Sequence, residues 1–122
     1  MILVDTSIWV DHLRHTDDRL VTLLNESKVL IHPFVIGELA CGNLSNRDEV
    51  LRLLTDLPQS QVATNSEVLF FIEHHQLMGR GIGYVDVHLL AAVALHKPTC
   101  LWTRDKRLLA VSRTLGLAFA AF

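Results

Sequence analysis

Short apolar runs alternate with amphipathic segments along the whole chain, and this alternation constrains the fold more than any other feature. "ILVD" (2–5) reads as a buried strand, and "TSIWVDHLR" after it sets Ile8, Trp9 and Leu13 at helical spacing, with Thr6 or Ser7 as N-cap. Asp17 caps a second helix, "RLVTLLNES", and "KVLIH" (28–32) is the next strand. Pro33 suits a first helical position and opens "PFVIGELACG". Asn46 and Glu49 stand at capping-box spacing at the start of "NRDEVLRLLTDL"; Pro58 stops that helix, and "SQVAT" (60–64) is a weak third strand. Thr64 and Glu67 form another capping box, for "NSEVLFFIEHHQLMG", closed by Gly79. "YVDVHLLAAVALH" is apolar nearly all round. Beyond Pro98 come the strand "TCLWT" (99–103), the amphipathic "DKRLLAVSRTLG" stopped at Gly116, and a closing strand "LAFAAF". Strands alternating with helices predict an α/β fold, a parallel sheet covered on both faces.

The 122 residues make one domain, 1–122, with no repeat, linker or low-complexity stretch. No apolar run approaches the roughly 20 residues of a membrane span, and the N-terminal run lacks the basic flank and cleavage site of a signal peptide, so a cytoplasmic protein is expected. Cys41 and Cys100 lie far apart without a CxxC and read as reduced core thiols. The seven histidines give no two-His or Cys-His set with a third zinc partner. They read as surface or boundary residues, with His88, two positions past Asp86, able to support a site from behind. Trp9 and Trp102 belong to the core. "GRGIGY" follows a helix and not a strand, so it is a flexible connector and not a phosphate loop.

Four carboxylates sit where the hydrophobic pattern has no use for them. Asp5 ends the first strand and Asp105 lies two residues past "TCLWT", both at the carboxyl edge where open α/β sheets bind ligands. Glu38, flanked at helical spacing by Phe34, Val35 and Cys41, and Asp86, flanked by Leu89, Leu90 and Val93, project from apolar stripes. A buried carboxylate is costly unless a cation or hydrogen bonds stabilise it. Each acid has an ordinary alternative as a helix cap, dipole partner or surface ion pair. Together they suggest an oxygen-only site for a hard cation, Mg²⁺ or Mn²⁺, and metal-assisted phosphoryl transfer. The net charge of -2 speaks against a generic nucleic-acid binder. With the four acids set aside, bases exceed the remaining acids, and Arg80, Arg104, Lys106 and Arg107 are placed to meet a phosphate backbone, although each alone reads as an ordinary solvated residue.

"LVDTSIWVDHL", the Glu within "VIGELACG", "GIGYVDVHLLAAV" and "LWTRDKRL" resemble, in order and over the full length, the PIN-domain ribonucleases, particularly the VapC toxins of bacterial toxin–antitoxin pairs. The resemblance implies a three-layer α/β/α sandwich with a central parallel sheet, the strand carrying Asp5 lying beside the one before Asp105. It implies a metal site of Asp5, Glu38, Asp86 and Asp105, with Thr6 or Ser7 as the hydroxyl beside the first aspartate and Thr103 as the strand-end hydroxyl. It further implies Mg²⁺- or Mn²⁺-dependent cleavage of structured RNA (tRNA or rRNA), a VapB-type antitoxin and a homodimer, for which the apolar residues of "LFFIEHH" are a plausible contact. Some relatives carry a further acid where this chain has Arg107, which weighs against a tightly held second ion. A response-regulator receiver domain would need an acidic pair after the first strand and an acceptor Asp after a middle one; both are missing. A haloacid-type phosphatase would need an Asp where Ser7 stands. A catalytically inactive PIN-like interaction module is the other alternative, and the retained acids speak against it.

Overall fold

Ile2, Leu3 and Val4 of β1 (Ile2–Val4) are all buried, as a strand covered on both faces must be. The computed structural model describes residues 1–120. In it β1 lies between β2 (Val29–Leu30) and β3 (Cys100–Trp102), in order β2-β1-β3 and parallel throughout. Ile2 pairs with Val29 and Cys100, Leu3 with Leu30 and Leu101, and Val4 with Trp102. Among the described residues seven helices flank this sheet in the α/β/α arrangement that the alternation predicts: α1 (Thr6–Arg14), α2 (Asp18–Asn25), α3 (Pro33–Ala40), α4 (Arg47–Thr55), α5 (Asn65–His75), α6 (Tyr84–Leu95) and α7 (Lys106–Thr114). α6 packs on β3 and α5, and its residues Val87 to Val93 are buried without interruption, which is why its sequence is apolar on every side. The chain leaves β1 toward β2 on one side and returns to β3 on the other, so the switch point of the sheet falls at the carboxyl end of β1.

Several local expectations hold. Asp17 caps α2 by accepting from Leu20 N–H, Pro33 opens α3, and Thr64 and Glu67 form a reciprocal capping box. Trp9 and Trp102 are buried. No described helix is long and apolar enough to cross a membrane.

Others are corrected. "SQVAT" is no strand: among the described residues the nearest pairing is a single bridge between Ile31 and Gln59, just before it. Ser60 and Ala63 are buried while Val62 is exposed, so the run has no continuous inward face to hold it in a ladder. "LAFAAF" likewise reduces to one bridge between Leu101 and Ala118, and its last two positions lie outside the described residues. Asn46 adopts a left-handed conformation (φ 52°) and makes no side-chain cap, so the box with Glu49 is absent. α5 stops before Gly79, because Gln76 turns left-handed and the buried Leu77 donates its N–H to Ile72 O, a Schellman closure. Cys41 is exposed where α3 ends and is not a core thiol; Cys100, at the amino end of β3, is half-buried and packs against the core. His32 and His88 are buried, not at the boundary. His32 Nδ1 accepts from Phe34 N–H, which makes it the cap of α3.

Candidate acidic site at the carboxyl edge of the sheet

Asp5 stands at the N-cap position of α1 but does not cap it. Its carboxylate is buried and faces across to β3: Oδ2 accepts from Ser7 Oγ at 2.8 Å and from Thr103 Oγ1 at 2.7 Å. Each hydroxyl is oriented from behind by a backbone donor, Ser7 Oγ accepting from Arg104 N–H (3.0 Å) and Thr103 Oγ1 from Asp105 N–H (3.1 Å). The proton directions are therefore fixed. Both hydroxyls point at Oδ2, and no described donor bonds to Oδ1. Thr6 and Ser7, expected as caps, lie inside the first turn of α1 and spend their hydroxyls on acids instead: Thr6 Oγ1 donates to Glu38 Oε1 at 2.7 Å.

Glu38 is exposed, contrary to its reading as a buried-stripe acid, because α3 buries Val35 and Leu39 and Glu38 lies one position round from them. Asp105 is exposed too and caps α7, its Oδ1 accepting from Leu108 N–H at 2.9 Å. The ordinary alternative for Asp105 is thus correct as far as it goes, and it leaves Oδ2 without a described partner. Asp86 is half-buried in the first turn of α6, where Oδ2 accepts from Gly83 N–H at 3.1 Å. Burial pushes its pKa upward, and the negative charges of Asp5, Asp105 and Glu38 push it further; the Gly83 bond opposes them without prevailing. One carboxyl therefore feels all three of the others.

No three of these groups, among the described residues, close on a single point as a ready-made metal cage. The donor set still fits a hard divalent cation. It is all oxygen, among the described residues no basic side chain is bonded to any of the four acids, and Mg²⁺ binds through one or two carboxylates while keeping several waters. It does not fit zinc, whose sites are built on thiolate and imidazole ligands, because among the described residues no Cys or His gathers with these acids into a ligand group.

The bases divide. Arg80, Lys106 and Arg107 are exposed, Lys106 and Arg107 in the first turn of α7 directly after Asp105. Arg107 lies against Gly81, where an added Cβ would come within 2.8 Å of Arg107 Cδ and where φ is +78°, so the connector before α6 requires glycine at this place. Arg104 is not available to phosphate. Its Nη1 donates to Asp11 (2.7 Å) and its Nη2 to Asp17 (2.5 Å), with the guanidinium 5.9 Å from the centre of the Trp102 ring. Burial raises the Asp17 pKa, but the Leu20 N–H bond and the Arg104 cation outweigh it and hold that carboxyl below its ordinary value. Arg104 thus straps the end of β3, with Thr103 and Asp105 on either side of it, to α1 and to the cap of α2. Its partners lie 93 and 87 positions away in sequence, beyond the reach of any local pattern. Arg104→Ala should lower Tm by about 4 °C, reflecting ~1 kcal/mol for a half-exposed pair of ion bonds, and reduce cleavage efficiency about tenfold as the hydroxyl geometry loosens. Arg104→Lys should restore only part of both, because one ammonium cannot span two carboxylates. Thermal denaturation beside initial cleavage rates checks this.

Acids gathered at the switch point of a parallel sheet, with hydroxyls locking the first of them, define a class, and the sequence agrees: the PIN domain family matches residues 2–114, and the chain belongs to that family. Over 120 residues it is 52% identical to Ribonuclease VapC32 of Mycobacterium tuberculosis (strain CDC 1551 / Oshkosh), and equally to Ribonuclease VapC32 of strain ATCC 25618 / H37Rv; each comparison covers 98% of this chain and 97% of the relative. That likeness places it with the VapC-type members of the family.

Proposed function

We propose that this chain is the endoribonuclease toxin of a type II toxin–antitoxin pair, hydrolysing structured RNA in the cytoplasm and restrained by a VapB-type antitoxin. The full-length likeness to VapC ribonucleases supports the activity. The observation that carries the mechanism is the raised pKa of Asp86 in the combined field of Asp5, Asp105 and Glu38. Asp5, Glu38, Asp86 and Asp105 would hold Mg²⁺ or Mn²⁺, which when bound supplies an acidified water and neutralises charge on the scissile phosphate. The chain's own residues prepare that place. Ser7 and Thr103 fix Oδ2 of Asp5 and leave Oδ1 without a described donor; Thr6 holds Glu38; Thr103 also receives the Asp105 N–H, tying the aspartates that follow β1 and β3 together. Burial of Asp86 removes competing water and strengthens the field.

A homodimer through α5 accompanies this reading. Leu69 and Phe70 are among the most exposed apolar side chains, and Phe70 borders an apolar cavity of about 540 Å³ between α5 and α6.

The test is cleavage of tRNA and rRNA by the purified chain with Mg²⁺, with Mn²⁺ and with chelator, reading the chemical ends of the products. Cuts with 5′-phosphate and 3′-hydroxyl ends that disappear with chelator are expected. Cleavage surviving chelator, or 2′,3′-cyclic phosphate ends, would overturn the metal-water mechanism.

A further inference from the structure

We propose that the cavity between the start of α2, α7 and the chain after Gly116 is a nucleotide subsite of the RNA substrate, with Arg19 and Arg113 holding phosphate and Phe119 stacking a base. This rests on the ribonuclease reading and extends it to a part of the surface that the acidic site does not include. The cavity measures about 650 Å³, in the range of small-molecule sites. Both arginines line it and both are exposed. Among the described residues no carboxylate lines it and neither arginine has an ion-pair partner. Asp17, two positions before Arg19, is already committed to Leu20 N–H and Arg104, so it does not neutralise the guanidinium beside it.

In a chain of net charge -2, two arginines without a described ion-pair partner at one opening make a local concentration of positive charge. Arginine's planar fork suits phosphate oxygens and also lies flat on bases. The wall opposite is aromatic: Phe119 is half-buried, its ring 5.5 Å from that of the buried Trp102 and tilted against it. A cationic groove with an aromatic platform is the usual composition of a single-stranded nucleic-acid site.

The position fits as well. Thr103 lines this cavity, and its Oγ1 bonds to Asp5, so the opening begins one side chain away from the acidic cluster. The bond from Arg104 to Asp17 ties the start of α2, two residues before Arg19, to the end of β3. A strand of RNA with its scissile phosphate at the acids would lay a flanking nucleotide here.

The experiment measures binding of a fluorescein-labelled mixed-sequence oligoribonucleotide, over a salt series, to the full chain carrying Asp5→Asn so that the RNA survives. Arg19→Ala/Arg113→Ala is compared with Lys28→Ala/Lys97→Ala, which changes charge equally at the opposite, amino-terminal edge of the sheet. The arginine pair should weaken binding about tenfold and flatten the slope of log affinity against log salt by roughly 1.4, two phosphate contacts' worth. Phe119→Leu, which keeps the apolar burial, should weaken binding several-fold with the slope unchanged. With Asp5 intact, the arginine pair should raise KM about tenfold and leave kcat within about twofold. An arginine pair indistinguishable from the lysine pair would overturn the subsite while leaving the nuclease reading intact. An unchanged affinity on Phe119→Leu would overturn the base-stacking part. Intact RNA binding with lost affinity for the antitoxin would assign the cavity to the protein partner instead. A chain that neither binds nor cleaves RNA with Arg19 and Arg113 in place would sink the nuclease reading itself.

Discussion

Asp5→Asn should abolish RNA cleavage, lowering kcat/KM by about 10³-fold or more, which corresponds to roughly 4 kcal/mol of lost transition-state stabilisation, while leaving the fold in place. The substitution is close to isosteric. The amide oxygen can occupy the place of Oδ2 and continue to accept from Ser7 and Thr103, because both hydroxyls are held as donors by the Arg104 and Asp105 N–H groups behind them. The amide nitrogen then takes the place of Oδ1, the oxygen without a described donor. A neutral donor replaces the anionic acceptor that a hard cation requires. Asp5→Ala makes the contrast: it leaves two part-buried hydroxyls without their acceptor, and each costs about 1–3 kcal/mol. The alanine variant should therefore lose stability as well as activity, the asparagine variant activity alone. Single-turnover cleavage beside thermal denaturation of both variants separates the two. Retention of more than about a tenth of the activity by Asp5→Asn, a deficit under roughly 1.4 kcal/mol, would remove Asp5 from the site.

The acids of the candidate site are legible in the sequence because they break its periodicity, and a break in periodicity is what a sequence can display. Asp5 and Asp86 interrupt apolar runs, and both are withdrawn from solvent, fully and by half respectively. Glu38 breaks the pattern in the same way, yet it is exposed. An eight-residue helix offers barely two turns in which to fix the phase of its stripe, and Val35 with Leu39, not the neighbours of Glu38, define the buried face. The strands were legible and their lengths were not, because an apolar run ends in the sequence where hydrophobicity ends, whereas a ladder ends where the partner strand diverges: "KVLIH" keeps only Val29–Leu30 as strand, with Ile31 turned to bridge Gln59. Long-range polar partners left no trace at all. Arg104 looks like one of several surface bases until the fold brings Asp11 and Asp17 to it. The hydroxyls of Thr6 and Ser7 looked like caps because a Thr-Ser pair after a strand normally is one; here the geometry of Asp5, already at the cap position, moves both into the helix and frees them for the acids.

The buried His32 should make the protein acid-labile through a window set by its own titration, costing about 2 kcal/mol of stability between pH 7 and pH 5. Burial lowers its pKa from 6.5 to about 4, and the neighbouring His88, ring centres 6.4 Å apart, adds to the effect. The sign follows from which state takes up the proton. In the unfolded chain the imidazole protonates near pH 6.5, while in the folded chain it stays neutral until about pH 4, so stability is complete above the unfolded value and falls as pH drops toward the folded one. The structure supplies the reason for the resistance. Nδ1 accepts from Phe34 N–H, which places the ring proton on Nε2, and Nε2 is buried without a described partner. A second proton would have to go onto Nδ1, where it would face the Phe34 donor, break the cap of α3 and put a positive charge at the positive end of that helix. His88 is shifted in the same direction by burial, and Asp86 in the opposite sense, its raised pKa favouring the folded state as pH falls. The variant that isolates His32 is His32→Asn, whose side-chain oxygen can still cap α3 and whose amide does not titrate. Denaturant unfolding at pH 7 and pH 5 should show a clear drop for the native chain and a much flatter response for His32→Asn. Equal slopes in the two proteins would assign the acid sensitivity to other groups. The same comparison in cleavage assays at neutral pH should show little difference, since His32 holds the helix carrying Glu38 through its cap and not through its charge.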